Sequence, residues 1–98
     1  MAASESPVII SSEKTVSSAG TAVALSATQR VKSLTIRAKA GNAGQVYVGG
    51  SDVSSTTNDG LDAGESVDFE AVNWLDMADV YIDVDTDGEG VDFYAVKA

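Results

Sequence analysis

The sequence lacks the residues on which most catalytic and metal sites depend. Its 98 residues include no cysteine and no histidine. Without cysteine the chain cannot form a disulfide or a thiolate metal site, and without histidine it lacks the commonest general base and transition-metal ligand. Nucleophilic sites of the Ser-His-Asp and Cys-His kinds are therefore excluded. We expect a protein that is not an enzyme and that carries no cofactor.

Long apolar runs are missing as well. The longest are residues 8–10 and 22–25, far short of the roughly 18 residues that a membrane-spanning helix needs. Residues 1–7 contain neither the basic region nor the apolar stretch of a signal peptide. The sequence therefore predicts a protein made in the cytoplasm, with no export signal of its own and no membrane partner.

Basic residues are few and unevenly distributed in a chain of formal net charge −9. Residues 1–51 carry five basic and two acidic side chains, whereas residues 52–98 carry one basic and thirteen acidic ones. The acidic half repels nucleic acid, which we do not expect as a partner. The cations Arg30, Lys32, Arg37 and Lys39 lie on one predicted strand. We interpret them as partners for acidic strands, within the chain or on a neighbouring subunit.

Alternation of apolar and polar residues is the dominant pattern. Residues 31–39 and 46–50 alternate on either side of Gly41 and Gly44, which predicts a β-hairpin. Further strands are predicted at residues 8–16, 21–26, 65–70, 79–85 and 91–95, with turn residues about every ten positions. The expected fold is all-β: one antiparallel β-sandwich or β-barrel of about seven strands over residues 8–98, after a flexible N-terminal arm, 1–7. The residues predicted to face inward are Leu34, Ile36, Val46, Val48, Val67, Phe69, Val80, Ile82, Val91 and Phe93.

Acidic residues near the end of the chain have the spacing that opens a calcium loop. Asp83, Asp85 and Asp87 occupy its first, third and fifth positions, and Gly88 follows at the sixth. The twelfth position, which needs a bidentate acid, is Tyr94. We therefore expect no metal site, and interpret these outward-facing carboxylates as groups that keep a strand edge soluble. A calcium-stabilised domain is the alternative.

Two aromatic residues are candidate interface anchors. Tyr47 is predicted on the polar face of its strand, and Trp74 lies in a segment suited to core or subunit contact. Stacking on a sugar ring is the alternative role, and the polar loop of residues 51–60 would then contribute to a receptor-binding or carbohydrate-binding knob.

The segment 31–70 combines a strand bearing lysine and arginine with Asn42-Ala-Gly-Gln-Val-Tyr-Val-Gly49 and Gly60-Leu-Asp-Ala-Gly-Glu-Ser-Val67, and Val80-Tyr-Ile82 follows. In these features the chain resembles small structural proteins encoded among the morphogenesis genes of tailed phages. The resemblance implies a β-rich virion protein that decorates the capsid as a cement protein, or a neck or tail accessory. It implies the major capsid protein as partner, the virion surface as location, and no catalytic residues.

Assembly into a homo-oligomer is the last expectation. Residues 1–10 include Pro7, Val8, Ile9 and Ile10, and this oily stretch follows a polar one. We expect them to reach onto a neighbouring subunit or the capsid. By analogy with cement proteins, the preferred oligomer is a trimer.

Overall fold

The computed structural model describes residues 8–98 and contains seven β-strands in two antiparallel sheets, which confirms the all-β prediction. The predicted arm, residues 1–7 with Pro7, lies outside the described residues. A short 3₁₀ turn spans Met77–Asp79. Within residues 8–98 no helix has the length and apolarity to cross a membrane. The strands are β1 (Ile9–Thr15), β2 (Val23–Ala24), β3 (Arg30–Ala38), β4 (Val46–Gly49), β5 (Ser66–Asp76), β6 (Tyr81–Val84) and β7 (Gly90–Lys97).

Consecutive strands alternate between the two sheets. The large sheet has the order β1-β7-β3-β5 and the small sheet the order β2-β6-β4, so every connection crosses from one sheet to the other. The β-hairpin predicted for residues 31–50 is therefore wrong. Both of its strands exist, but β3 belongs to the large sheet and β4 to the small one. Alternation identifies the apolar face of a strand and not its neighbour, and here the two apolar faces meet across the core.

The segment between β3 and β4 begins with a tight turn, in which the Asn42 N–H donates to the Lys39 carbonyl at 3.0 Å, and then crosses to the other sheet. The Glu89 carboxylate accepts hydrogen bonds from the backbone N–H groups of Ala43 (2.6 Å) and Gly44 (3.0 Å). Asn42 donates from its side chain to the carbonyl of Gly90 at 2.8 Å. Gly44 is required for close packing, because a Cβ there would lie 2.7 Å from that of Asp85.

The hydrophobic core lies between the sheets and contains the residues that alternation assigned to it. Seven of the ten predicted inward residues are buried. The other three, Val48, Val67 and Phe69, are half-buried and pack against the core. Their strands, β4 and β5, are at sheet edges, where one side of each residue has no neighbouring strand. Sequence alternation thus predicted the core well, and edge position explains the partial burial.

Two predicted elements differ in extent from the structure. The strand expected at residues 21–26 is reduced to the two residues of β2, although Leu25 beyond it is buried. The loop at 51–60 is anchored by the buried side chain of Val53 and closed by hydrogen bonds around Ser54. It is a folded surface loop.

Candidate attachment surface

Two large apolar side chains are exposed on β5 where the strand has a bulge. Val31 of β3 lies opposite Leu75, but Ser33, two residues on, lies opposite Glu70. A shift of two residues along β3 therefore corresponds to a shift of five residues along β5. Residues 71–74 of β5 have no opposite residue in the ladder between the two strands. Because β5 is an edge strand, the displaced residues meet solvent: Val72 is fully exposed, and 47% of Trp74 is exposed.

The exposed Trp74 ring is held in place by Arg30 of the neighbouring strand. The guanidinium carbon lies 4.1 Å from the centre of the indole ring, a cation–π contact that stabilises by about 0.5–1 kcal/mol at exposed sites. Arg30 is itself positioned by pairing with Asp76 in the register of β3 and β5. The Asp76 carboxylate accepts from the backbone N–H groups of Gln29 (3.1 Å) and Ala78 (2.9 Å), which fixes this corner.

Two further exposed apolar residues, Val8 and Ile9, are located at the same end of the large sheet. Val8 accepts a hydrogen bond from the N–H of Lys97 at 2.9 Å, and Ile9 lies opposite Val96. The N–H of Ala98 in turn donates to the Arg30 carbonyl at 3.1 Å, which links this edge to the Trp74 corner. We call this region the apolar end. Its residues are Val8, Ile9, Arg30, Lys32, Val72, Trp74 and Lys97.

Charge is balanced at the apolar end, while the rest of the molecule is acidic. The apolar end has three of the six cations of the chain, and the nearest acids in the strand register and the following turn are Glu70, Asp76 and Asp79. Net negative charge is therefore concentrated on the remainder of the protein. The apolar end is the part of residues 8–98 best suited to contact another protein, since charged residues are depleted at interface cores.

The four predicted interface cations do not act as one group. Arg30 and Lys32 belong to the apolar end, whereas Arg37 and Lys39 lie toward the opposite end of β3. Lys39 forms the only ion pairs found within residues 8–98, with Glu13 and, at 3.4 Å, with Asp92. The hydrogen bond to Glu13 raises the pKa of the Lys39 ammonium. Arg37 donates to the Gly64 carbonyl at 3.4 Å.

Residues 8–10 do not reach away from their own domain, contrary to the prediction. Ile9 and Ile10 begin β1 and pair with Val96 and Ala95 of β7, and Ile10 packs against the core. This short apolar stretch is β-branched throughout, and it extends the large sheet by pairing with β7 of its own chain. Ile9 nevertheless remains 65% exposed, so part of this stretch is accessible to a partner.

The acidic residues of the predicted calcium loop bind backbone groups of their own chain. Asp83 accepts from the N–H groups of Gly20 (2.9 Å) and Val84 (2.8 Å). Asp85 accepts from the N–H of Gln45 at 3.1 Å, and Asp87 from that of Ala19 at 2.7 Å. Among residues 8–98 no three acidic groups are grouped as they would be around a metal ion. These carboxylates fasten loops to the end of the small sheet.

Tyr47 and Asp83 were both predicted to face solvent, and both predictions are wrong. They lie opposite each other on β4 and β6 and are 5% and 3% exposed. Two loops cover this face: Gly20 contacts Asp83, and Gly60 lies so close to Tyr47 that a Cβ would approach its ring to 2.8 Å. The Tyr47 hydroxyl donates to Asp85 at 2.9 Å. Burial, and secondarily this hydrogen bond, raises the pKa of the Tyr47 phenol.

Sequence reasoning missed Val72 as an exposed residue. It shares the outward, even-numbered side of β5 with Ser66, Asp68 and Glu70, at the point where residues 71–74 are displaced from the ladder with β3. Comparison with protein-family models, with curated proteins and with solved structures gave no match for this chain. Its geometry identifies a small β-sandwich with one apolar end.

Proposed function

We propose that this chain is a structural protein of a tailed-phage virion, which binds the major capsid protein on the capsid surface and stabilises the particle without catalysis. The apolar end carries the proposal, since it exposes Trp74 and Val72 on a chain of net charge −9. Tryptophan and arginine are the residues most enriched at the energetic centres of protein interfaces. The resemblance of residues 31–70 to phage morphogenesis proteins supports the capsid as the partner.

Trp74 is suited to anchor such a contact because its ring is already oriented. Ordering a free side chain on binding costs about 0.5–1.5 kcal/mol, and the Arg30 contact reduces that cost for Trp74. A capsid presents many identical sites, so modest contacts by single copies add up when the copies are linked to one another.

The covered ring face also favours a protein partner over a sugar. Arg30 occupies one face of the indole, and the aromatic Tyr47 is buried beneath the loop that contains Gly60. The aromatic residues proposed as a sugar-stacking platform therefore do not form one joint surface. We favour capsid attachment over the binding-knob alternative for this reason.

Purified particles of the phage that encodes the chain test the proposal. Mass spectrometry should find the protein in many copies per particle, and its absence from particles would contradict the proposal. Particles stripped of the protein should rebind the Trp74→Ala variant about 10- to 30-fold more weakly than the wild type. Tyr94→Ala is the matched control, because Tyr94 is equally exposed, at 47%, on the large sheet away from the bulge. Equal losses for both variants would rule out the apolar end as the attachment surface.

A further inference from the structure

Among residues 8–98, no strand pairs with the outer edge of β1. At its two ends, the Lys97 N–H donates to Val8 and the Val16 N–H donates to Glu89, both at 2.9 Å. Backbone groups alternate sides along a strand, so the even-numbered residues of β1 bond to β7. The odd-numbered residues then direct their N–H and C=O groups away from β7, toward the sheet edge. The other side of β7 is consistent with this, since the carbonyl of the even-numbered Gly90 accepts a hydrogen bond at 3.1 Å from the N–H of Lys39, the residue after β3.

The other three edges found within residues 8–98 are obstructed or short. The bulge at 71–74 interrupts β5, and β2 has only two residues. Strand β4 is covered on its outer side by Leu61, which exchanges two backbone hydrogen bonds with Val46 at 2.7 and 3.0 Å. Edge strands usually carry a bulge, a proline or an inward charge that prevents pairing with another chain. Ile9–Thr15 has neither a bulge nor a proline; it carries one inward charge, the half-buried Lys14, and its Glu13 carboxylate is engaged by Lys39 on the outer sheet face.

We propose that β1 pairs antiparallel with β1 of a second copy about a two-fold axis at Ser12, so that the two large sheets form one sheet of eight strands. In this register Ser12 lies opposite Ser12 of the second copy, and Ser11 lies opposite Glu13. All seven residues of β1 take part. The open groups of the odd-numbered residues then form about eight backbone hydrogen bonds between the copies.

Side chains and charge favour this antiparallel arrangement. Ile9, 65% exposed in the single chain, would lie opposite Thr15 of the second copy, a pair of β-branched residues of the kind that stabilises sheets. The aliphatic stem of Lys14 would cover the half-buried Ile10. The pairing also places the acidic end of each copy beside the charge-balanced apolar end of its mate, whereas a parallel pair would juxtapose both acidic ends.

Pairing through β1 does not depend on capsid binding, and it predicts a dimer where the resemblance implied a trimer. Proline variants test it, because proline removes one backbone N–H. The Ser11 N–H points to the open edge, so Ser11→Pro should keep the thermal stability of the monomer and abolish pairing. The Ser12 N–H faces β7, so Ser12→Pro should destabilise the fold itself.

Analytical ultracentrifugation of the full chain gives the readout. We expect the wild type to sediment as a dimer and folded Ser11→Pro as a monomer. A wild type that is monomeric or trimeric up to millimolar concentration would overturn the proposal. So would a Ser11→Pro variant that either remains dimeric or fails to fold.

Cysteine variants test the register, and the chain has no cysteine of its own to interfere. Opposed residues in a non-hydrogen-bonded antiparallel pair have Cα atoms about 4.5 Å apart, within the range that a disulfide spans. Ser12→Cys should therefore form a disulfide-linked dimer on mild oxidation. Ser11→Cys, whose two copies would lie more than about 7 Å apart, should not. Cross-linking at position 11 instead of 12 would refute the Ser12 axis.

Discussion

Removing the carboxylate of Asp83 should destabilise the fold by a calculable amount. Asp83 is 3% exposed and accepts hydrogen bonds from the N–H groups of Gly20 and Val84. Asp83→Ala leaves both donors without this acceptor, and a hydrogen bond to a charged group contributes about 1.5–3 kcal/mol. The bond to the adjacent Val84 is local and adds less. We expect the free energy of unfolding to fall by about 2–4 kcal/mol, which lowers the melting temperature by roughly 10–30 °C in a domain of this size.

Thermal unfolding followed by circular dichroism, with calcium and with a chelator, separates this loop-fastening role from a calcium site. The decrease for Asp83→Ala should be the same in both conditions. Asp87→Ala is the control, because this exposed carboxylate fastens only the N–H of Ala19, and its loss should cost less than about 1 kcal/mol. If Asp83→Ala melts like the wild type, the loop-fastening role is refuted. If calcium raises the melting temperature of the wild type by more than a few degrees and Asp83→Ala abolishes that increase, the carboxylates form a metal site.

Two further predictions concern the core and the pH dependence of stability. Phe93 is buried and Phe69 is half-buried, so Phe93→Ala should lower the free energy of unfolding by about 3–5 kcal/mol and Phe69→Ala by about 2 kcal/mol. Equal effects of the two variants in urea unfolding would contradict this ranking. The raised pKa of Tyr47 means that folding favours its neutral phenol, so this contribution to stability is complete below about pH 10 and is lost as the pH rises through the raised pKa. Tyr47→Phe should therefore flatten the alkaline decline of unfolding free energy, and an unchanged slope would show that Tyr47 is not its source.

The sequence was sufficient to predict the faces of the strands but not their partners. Leu34 and Ile36 are buried as their spacing predicts, because alternation reports directly on a local property, the side of the strand. The pairing of β3 with β5 and β7 depends on residues 29 to 66 positions away. Turn residues such as Gly41 suggested a hairpin, yet the segment that contains it crosses between sheets.

The errors at Tyr47 and Asp83 have a related cause. An alternating strand is assigned one solvent-exposed face, but the outer face of the small sheet is covered by the loops that contain Gly20 and Gly60. Loop placement depends on tertiary hydrogen bonds that alternation does not encode. The exposure of Val72 is a different case, since this apolar residue lies on the outward, even-numbered side of β5, which alternation continued beyond residue 70 assigns to solvent. The bulge that displaces residues 71–74 from the ladder is the part of the attachment surface that the sequence pattern does not reveal.

The two proposed interfaces lie on opposite edges of the large sheet, and this separation makes them independently testable. Strands β7 and β3 stand between β1 and β5, so about 14 Å separates the pairing edge from the bulge at strand spacing. A β1-paired dimer would carry its two Trp74 corners on the outermost strands, about 34 Å apart across the sheet and at opposite ends of the strands, and two such corners can bind a capsid lattice at once. Ser11→Pro should then weaken particle binding through loss of the second contact, while leaving the Trp74 corner intact. Trp74→Ala should weaken particle binding without changing the sedimentation of the free protein. If Ser11→Pro is monomeric and binds particles as tightly as the wild type, pairing through β1 does not contribute to attachment. If Trp74→Ala sediments as a monomer, the β1 edge and the Trp74 corner are not independent interfaces.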